Sequence, residues 1–464
     1  MLVHETTMLA HSPATRRAAT KSTSQSRSGR STPSASPSRP ASPPQRVEQA
    51  FTLSTNGHSA PWLTLRVRSN ASPPKAHPLY FDRDIVEGSV DLDLAENATT
   101  IHGIVVFVRG QVYSVGADQS PFLELSQTLW TSSMGHPHDP GVRHSAFSGK
   151  LSGSYSWPFS IPLPTQIVVN DNHGRPVSVP LPPTFAPKGH STFIDYKIQV
   201  LIQRGSLRVD NTLTTSFVYL PRARAPRPSP LLESAYQNHH PILGPSLDPE
   251  GWDSRPPRVV HGMLFGARRA SLECTLAVSQ PTRQLAADRR HSDTYESGSQ
   301  QRIYARDCVI HLHVTLESYD TQLLDFLGAS AIKVALVQST RTQLIESSSH
   351  PHTVHKLHKL QADGEHEEVA VQGSCWPSSS SGISSTTSNA NQRHFDAEII
   401  VRKDLKPSFS FPSLSLQYTI QLWFEAKGFA PLQKGPVYSE PVTIVTDRPR
   451  GPSPHSLRLP YSSQ

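Results

Sequence analysis

Cysteine is scarce in this chain: three in 464 residues, Cys274, Cys308 and Cys375, with no CxxC spacing. That excludes a disulfide framework and fits a reducing compartment, where such thiols act as small, partly buried hydrophobes. No apolar stretch approaches the roughly 18 residues that a membrane-spanning helix needs. The opening residues, MLVHETTMLAHSPATRRAAT, lack the apolar core of a secretory signal. They are basic with one acid, Glu5, which leaves a mitochondrial transit peptide open. Without a secretory route, the sequon-like Asn97-Ala98-Thr99 reads as a chance match. Also missing are GxSxG, HExxH, the P-loop and GxGxxG, so no enzyme, cofactor or metal is expected. His311 and His313 share one strand face, and solvent-facing side chains explain them more simply than a metal site. His355 and His358, and His136, His138 and His144, lack metal-ligand spacing.

Proline, by contrast, is abundant at 42 residues, nearly twice its usual share of about 5%. With a low apolar content, it points to linker or disordered stretches beside folded parts, and the length suggests about three domains. The net charge of +7 is unevenly placed. Arg16, Arg17, Lys21, Arg27, Arg30, Arg39 and Arg46 stand against Glu5 alone, a local net of +6 that leaves the remainder close to neutral. The basic balance therefore describes a tail, and no nucleic-acid partner is expected.

Along the chain, 1–50 is a Ser/Pro/Arg-rich segment without periodicity and is expected to be disordered. From Trp62 the pattern becomes short strands with turn residues between them, which predicts an antiparallel sandwich over 51–221. The Pro-rich 222–257 reads as a linker. Strand patterns resume over 258–448, a second sandwich, with a Ser-rich hairpin insertion at 375–392 and a disordered tail at 449–464. The one helical hint is YDTQLLDFLG (319–328). One pattern recurs. In LPPTFAPKGHSTFIDYKIQVLI (181–202), Ile194, Tyr196, Ile198, Val200 and Ile202 share a face. In LKPSFSFPSLSLQYTIQLWF (405–424), Leu416, Tyr418, Ile420, Leu422 and Phe424 do the same. Period-two alternation marks half-buried strands. Pro182 and Pro183 suit a turn entering an edge strand, Phe185 and Phe409 suit plugs at the sandwich ends, and Trp157 and Phe159 suit burial between sheets.

VEGSVDLDL, IHGIVVFVRGQVYS, GSYSWPFSIPLP and the two Pro-Ser/Thr-Phe…Tyr segments, in that order, resemble the arrestin superfamily, and among it the α-arrestins, over roughly 60–448. In that resemblance VEGSVDLDL is a glycine-marked turn feeding a strand. The fold it implies is all-β: two tandem immunoglobulin-like arrestin β-sandwiches behind a disordered N-terminal tail. The function it implies is a cytosolic adaptor that binds the cytosolic tails of membrane cargo. Such an adaptor couples cargo to ubiquitin-dependent endocytosis or endosomal sorting, and is recruited from the cytoplasm to the plasma membrane or endosomes. The alternative is an arrestin-fold signalling or structural scaffold without a ubiquitin-ligase link. Many α-arrestins carry Pro-Pro-x-Tyr for the WW domains of HECT-type ubiquitin ligases. Here every Pro-Pro departs from it (PPQR, PPKA, PPTF, PPRV), and Leu459-Pro460-Tyr461 is the candidate tail motif that remains.

In the basic tail, Thr32, Ser36 and Ser42 each precede a proline and are candidate phosphosites. Arg39, Ser42 and Pro44 have the spacing of a 14-3-3 ligand. Each basic residue near an anionic leaflet contributes on the order of 1 kcal/mol, enough for peripheral membrane contact. Three phosphates at about −1.5 to −2 charges each would cancel most of the net +6. A peptide of residues 1–50 is thus expected to co-sediment with phosphatidylserine liposomes at low salt, and its triphosphorylated form to stay in solution.

Overall fold

Period-two alternation of buried and more exposed side chains is clearest in the strands Phe193–Gln203, Asn211–Leu220 and Leu414–Phe424. The computed structural model describes residues 46–54, 60–71, 77–95, 98–114, 121–138, 146–171, 174–187, 192–205, 208–280, 302–342, 364–378 and 390–456. They divide into two compact units. The first holds Met1–Gln111, Ser120–Ile167 and Asp195–Leu220. The second holds Val112–Gln119, Val168–Ile194 and Pro221–Gln464, so it also takes in two stretches from within the expected first sandwich. The fold is all-β.

The early strands are β1 (Val47–Ser54), β2 (Pro61–Ser69), β3 (Leu79–Phe81), β4 (Ile85–Asp93), β5 (Gly103–Tyr113), β6 (Pro121–Thr131) and β7 (Ser154–Pro162). A hairpin follows, β8 (Gln166–Asn170) with β9 (Pro176–Pro180), and then β10 (Phe193–Gln203) and β11 (Asn211–Leu220). Two sheets result, ordered β1-β2-β4-β7 and β3-β11-β10-β5-β6. Strand β1 corrects the expected tail boundary at 50, since Val47–Ser54 is a paired strand. Phe51 is 3% exposed opposite Leu65, and Arg46 reaches Asp84 and Glu87 at 3.2 and 3.1 Å. Gly88 lies inside β4 rather than at a turn. A Cβ there would stand 1.9 Å from the Arg66 carbonyl oxygen. Gly110 in β5 likewise leaves room for the rings of Phe122 and Tyr196.

The recurring pattern packs as expected. Ile194, Tyr196, Ile198, Val200 and Ile202 are all buried, but β10 is a central strand and not the edge strand that Pro182 and Pro183 suggested. Phe159 is buried. Trp157 is half-buried and stacks on Tyr155 with ring centroids 5.5 Å apart.

The second unit carries α1 (Pro230–Asn238), β12 (Trp252–Ser254), β13 (Arg258–Leu264), β14 (Arg268–Ser279), β15 (Arg302–Ala305) and β16 (Cys308–Glu317). After α2 (Thr321–Phe326) come β17 (Ile332–Thr342), β18 (Gly364–Gln372), β19 (Ser374–Pro377) and β20 (Gln392–Val401). The last are β21 (Phe409–Phe411), β22 (Leu414–Phe424), β23 (Phe429–Pro431) and β24 (Tyr438–Val445). One sheet runs β19-β20-β16-β14-β13-β23, with β12 on β14; the other runs β15-β24-β22-β17-β18, with β21 on β22. Strands β19 and β20 pair antiparallel, so the flanks of the Ser-rich insertion do form a hairpin, while 379–389 lie outside the described residues. Leu416, Tyr418, Ile420, Leu422 and Phe424 are buried, and the Tyr418 hydroxyl donates to the Lys406 carbonyl at 2.9 Å. Phe185 and Phe409, expected to plug separate sandwiches, meet each other edge-on in this unit with centroids 5.2 Å apart.

The expected linker is largely built structure. Ser229 caps α1 by accepting from the Leu232 N–H at 3.2 Å, and Pro230 takes the first turn, where its missing donor costs nothing. Leu232, Ala235 and Tyr236 recur at helical spacing and are buried. Downstream, Arg302 is 5% exposed, and a buried charge must be matched. It is held by Asp253 of β12 (Nε at 2.8 Å) and Glu440 of β24 (3.2 Å), and Arg255 reaches the same Glu440 at 2.9 Å. Removing one partner of a buried pair strands the other charges. Arg302→Ala should therefore cost about 3–5 kcal/mol in urea unfolding. Arg341→Ala, which breaks an exposed pair with Glu365, should cost at most about 1 kcal/mol.

Candidate functional site: a cationic cleft at the end of β24

Pro221 follows β11 and, lacking an N–H, cannot extend that ladder. The chain instead runs extended beside the residues after β24, with a parallel bridge between Arg224 and Asp447. The Ala225 N–H donates to the Asp447 carbonyl at 3.0 Å, and the Asp447 N–H to the Ala223 carbonyl at 2.9 Å. The Ala223 N–H donates to Thr446 Oγ1 at 2.8 Å. In an extended segment successive side chains alternate. Ala225 goes into an apolar cluster with Ala305, Cys308 and Val445, which leaves Arg222 and Arg224 together on the exposed side.

Two turns bring further charge. Between β15 and β16, Asp307 adopts a left-handed φ of 60°, which aspartate tolerates better than most side chains. Its N–H donates to the Val401 carbonyl at 2.8 Å, and the neighbouring Arg306 N–H to the Val445 carbonyl at 3.0 Å. Lys403 comes from the turn after β20. Together Arg222, Arg224, Arg306, Asp307, Lys403, Thr446, Asp447 and Arg448 line a cavity of about 280 Å³.

Five cations there face two carboxylates, a local balance of +3. Asp447 is shared by Arg222 at 3.0 Å and Arg224 at 3.6 Å, and Asp307 pairs with Arg448. Neither pair consumes Arg306, whose Nε is buried without a hydrogen-bond partner and whose Nη1 lies 3.4 Å from the Leu405 carbonyl. The cavity is roomy enough to admit a carboxylate or phosphate group. Guanidinium forks match such anions in two-point geometry. Thr446 is no nucleophile: its hydroxyl is committed to the carbonyl oxygens of Pro221 and Ala223, each at 3.1 Å. The chemistry available is anion recognition.

The sites read from sequence fall elsewhere. Thr32, Ser36, Ser42, Arg39, Pro44, Leu459, Pro460 and Tyr461 lie outside the described residues, as do His355 and His358. His311 and His313 are not solvent-facing; they are 2% and 8% exposed. The reason is the cover over that sheet face: Tyr236 of α1 stacks on His311, and Trp252 lies 6.2 Å from His313. Across the strand pair, His313 Nδ1 meets Asp396 at 2.8 Å and His394 Nδ1 meets Thr315 at 3.1 Å. Among the described residues, no group of three or more His, Cys, Asp or Glu side chains has metal-holding geometry. The cleft escaped the sequence reading, although the alternating Arg222-Ala-Arg224-Ala was its available signal.

The Asp447 backbone, not its carboxylate, anchors the 221–225 segment. Asp447→Asn should leave the melting temperature within about 2 °C, since exposed pairs contribute little. It should also tighten phosphate binding in calorimetry by releasing two guanidiniums. The sequence matches no known family model and no curated protein.

Proposed function

We propose that the chain is an arrestin-like cytosolic adaptor that holds an acidic or phosphorylated stretch of a membrane protein's cytosolic tail in the cationic cleft. The observation that carries this reading is the surplus of cations in a cavity that fits a carboxylate or phosphate group. Two features support it: the all-β build in two units, and the Pro-Ser/Thr-Phe…Tyr segments that both end in buried alternating strands. No helix among the described residues is long and apolar enough to cross a membrane, so contact with cargo would be peripheral.

In this reading the bound tail is passed to ubiquitin-dependent endocytosis or endosomal sorting at the plasma membrane or endosomes. A HECT-type ligase would be met through a segment other than Pro-Pro-x-Tyr, and 14-3-3 through the tail around Ser42. A scaffold without a ligase would share the cleft but not the ligase.

The test is an array of cytosolic-tail peptides, with and without phosphoserine, probed with the full chain and with Arg222→Glu/Arg224→Glu. Both side chains are exposed, so the variant should fold. Acidic or phosphorylated peptides should bind at 50 mM salt, weaken as salt screens the charges, and lose at least tenfold affinity in the variant. Equal binding by the variant, or none by the parent chain, overturns the reading. Ligase recovery by proximity labelling separates adaptor from scaffold.

A further inference from the structure

Of the tail expected to be disordered, 457–464 lie outside the described residues, while residues 449–456 are packed on the second unit. They lie along α1 and end over the sheet that carries β16 and β20. Pro449 and Pro454 help to close a cavity of about 40 Å³ against Leu232, Tyr236, Tyr304 and Cys308. At the end of the segment, His455 Nε2 lies 3.3 Å from His239 Nδ1, at the C-terminus of α1. The His455 ring meets Tyr236 with centroids 5.6 Å apart, and the Ser456 hydroxyl donates to Glu398 Oε2 at 2.7 Å.

Beneath these contacts lies an unusual pair. Glu398 is 3% exposed, and its other oxygen is 3.7 Å from Nδ1 of His311. The His311 ring also stacks on Tyr236, so Tyr236 touches both imidazoles, and Nε2 of His311 is buried without a hydrogen-bond partner. A hydrogen bond between two imidazole nitrogens needs one N–H and one lone pair. Protonating both His239 and His455 leaves two donors and two like charges in contact.

We propose that Pro449–Ser456 is a proton-releasable strap, a built-in ligand of the face formed by α1, β16 and β20. It is held at neutral pH by the His239–His455 and Ser456–Glu398 contacts and freed when both histidines are charged. The uncovered face takes an extended, proline-bearing segment, for which the strap is the template.

His311 adds to the effect with a definite sign. Burial, then the neighbouring His455, pushes its pKa down to about 3, against a smaller opposing pull from Asp396. A histidine held neutral in the strapped form stabilises that form above its ordinary value near 6.5, and the gain is lost as pH falls below it. If release rehydrates the ring, opening gains up to tenfold per pH unit, or about 30-fold at pH 5. The other groups facing the cluster do not cancel this. Tyr236 and Cys308 are neutral, each pushed up by burial, the thiol to about 11. On β20, Asp396 is taken up by His313, and on α1 Glu233 is taken up by Arg227. Glu398, the remaining carboxylate, holds the strap through Ser456.

The strap can be read through Cys308, 4% exposed beneath it. In the full chain carrying Cys375→Ser, the rate of thiol exchange with 4,4′-dithiodipyridine is measured at pH 7.5 and 5.0. The same chain with His455→Phe, which keeps a ring on Tyr236 without a titrating nitrogen, cancels the intrinsic pH dependence of the reagent. That control lacks the His239–His455 contact and should already react faster than the parent at pH 7.5. On going to pH 5.0 the parent should close the gap, its rate rising on the order of tenfold more than the control's, the His311 contribution being common to both. A chain ending at Arg448 should react fast at both pH values, and Ser456→Ala should be faster than the parent at pH 7.5. Identical pH ratios with and without His455 overturn the proposal, as does a truncated chain whose Cys308 stays as slow as the parent's.

Discussion

The second unit is organised around a charge that cannot be left alone. Arg302 is 5% exposed at the start of β15, and an isolated guanidinium at that depth would cost several kcal/mol. Its partners come from β12, which belongs to one sheet, and β24, which belongs to the other. Asp253 reaches it because Trp252–Ser254 pairs with β14, and Glu440 sits on β24 at 4% exposure with Arg255 as its second cation. The quartet is charge-balanced. It forces the stretch before β13 to lie against the unit, so a proline-rich segment that composition marks as a linker becomes part of the fold.

The same end of β24 then receives two further strands of irregular chain. Pro221–Ala225 is bonded to Thr446 and Asp447, and the following residues to Ser456 lie along α1. Each segment alternates or spaces its side chains so that small and proline residues face inward: Ala225, Pro449, Pro454. Arginines are thereby left outside, in one place. The cationic cleft is thus a by-product of how irregular backbone satisfies its hydrogen bonds, not a motif carried on a strand.

Legibility followed the range of the interactions. Strands β10 and β22 were readable because every second residue, from Ile194 to Ile202 and from Leu416 to Phe424, is apolar and buried. Strand β18 was missed because its sequence, GEHEEVAVQ, has no buried residue and pairs with β17 on one side alone. Helix α1 was missed because its flanking prolines suggested a linker, although Ser229-Pro230 is a cap followed by a first-turn proline. His311 and His313 were placed on the right face and given the wrong environment, since the cover over that face comes from α1 and β12.

What the sequence determined by itself was local: the all-β class, the strands with strict alternation, the two-fold recurrence, and the charge asymmetry of the N-terminal segment. Each rests on a period of two or on composition, which a linear reading can see. Tertiary structure alone decided which cations share a cavity, which histidines are buried, and that Phe185 and Phe409 meet. Arg224, Arg306, Lys403 and Arg448 lie up to 224 positions apart in sequence, as the Arg224–Arg448 hydrogen bond shows. Their proximity follows from strand order and from where Pro221 ends a ladder. The Arg222-Ala-Arg224-Ala alternation marks one side of the cleft locally, but nothing in the sequence places Arg306, Lys403 and Arg448 beside it.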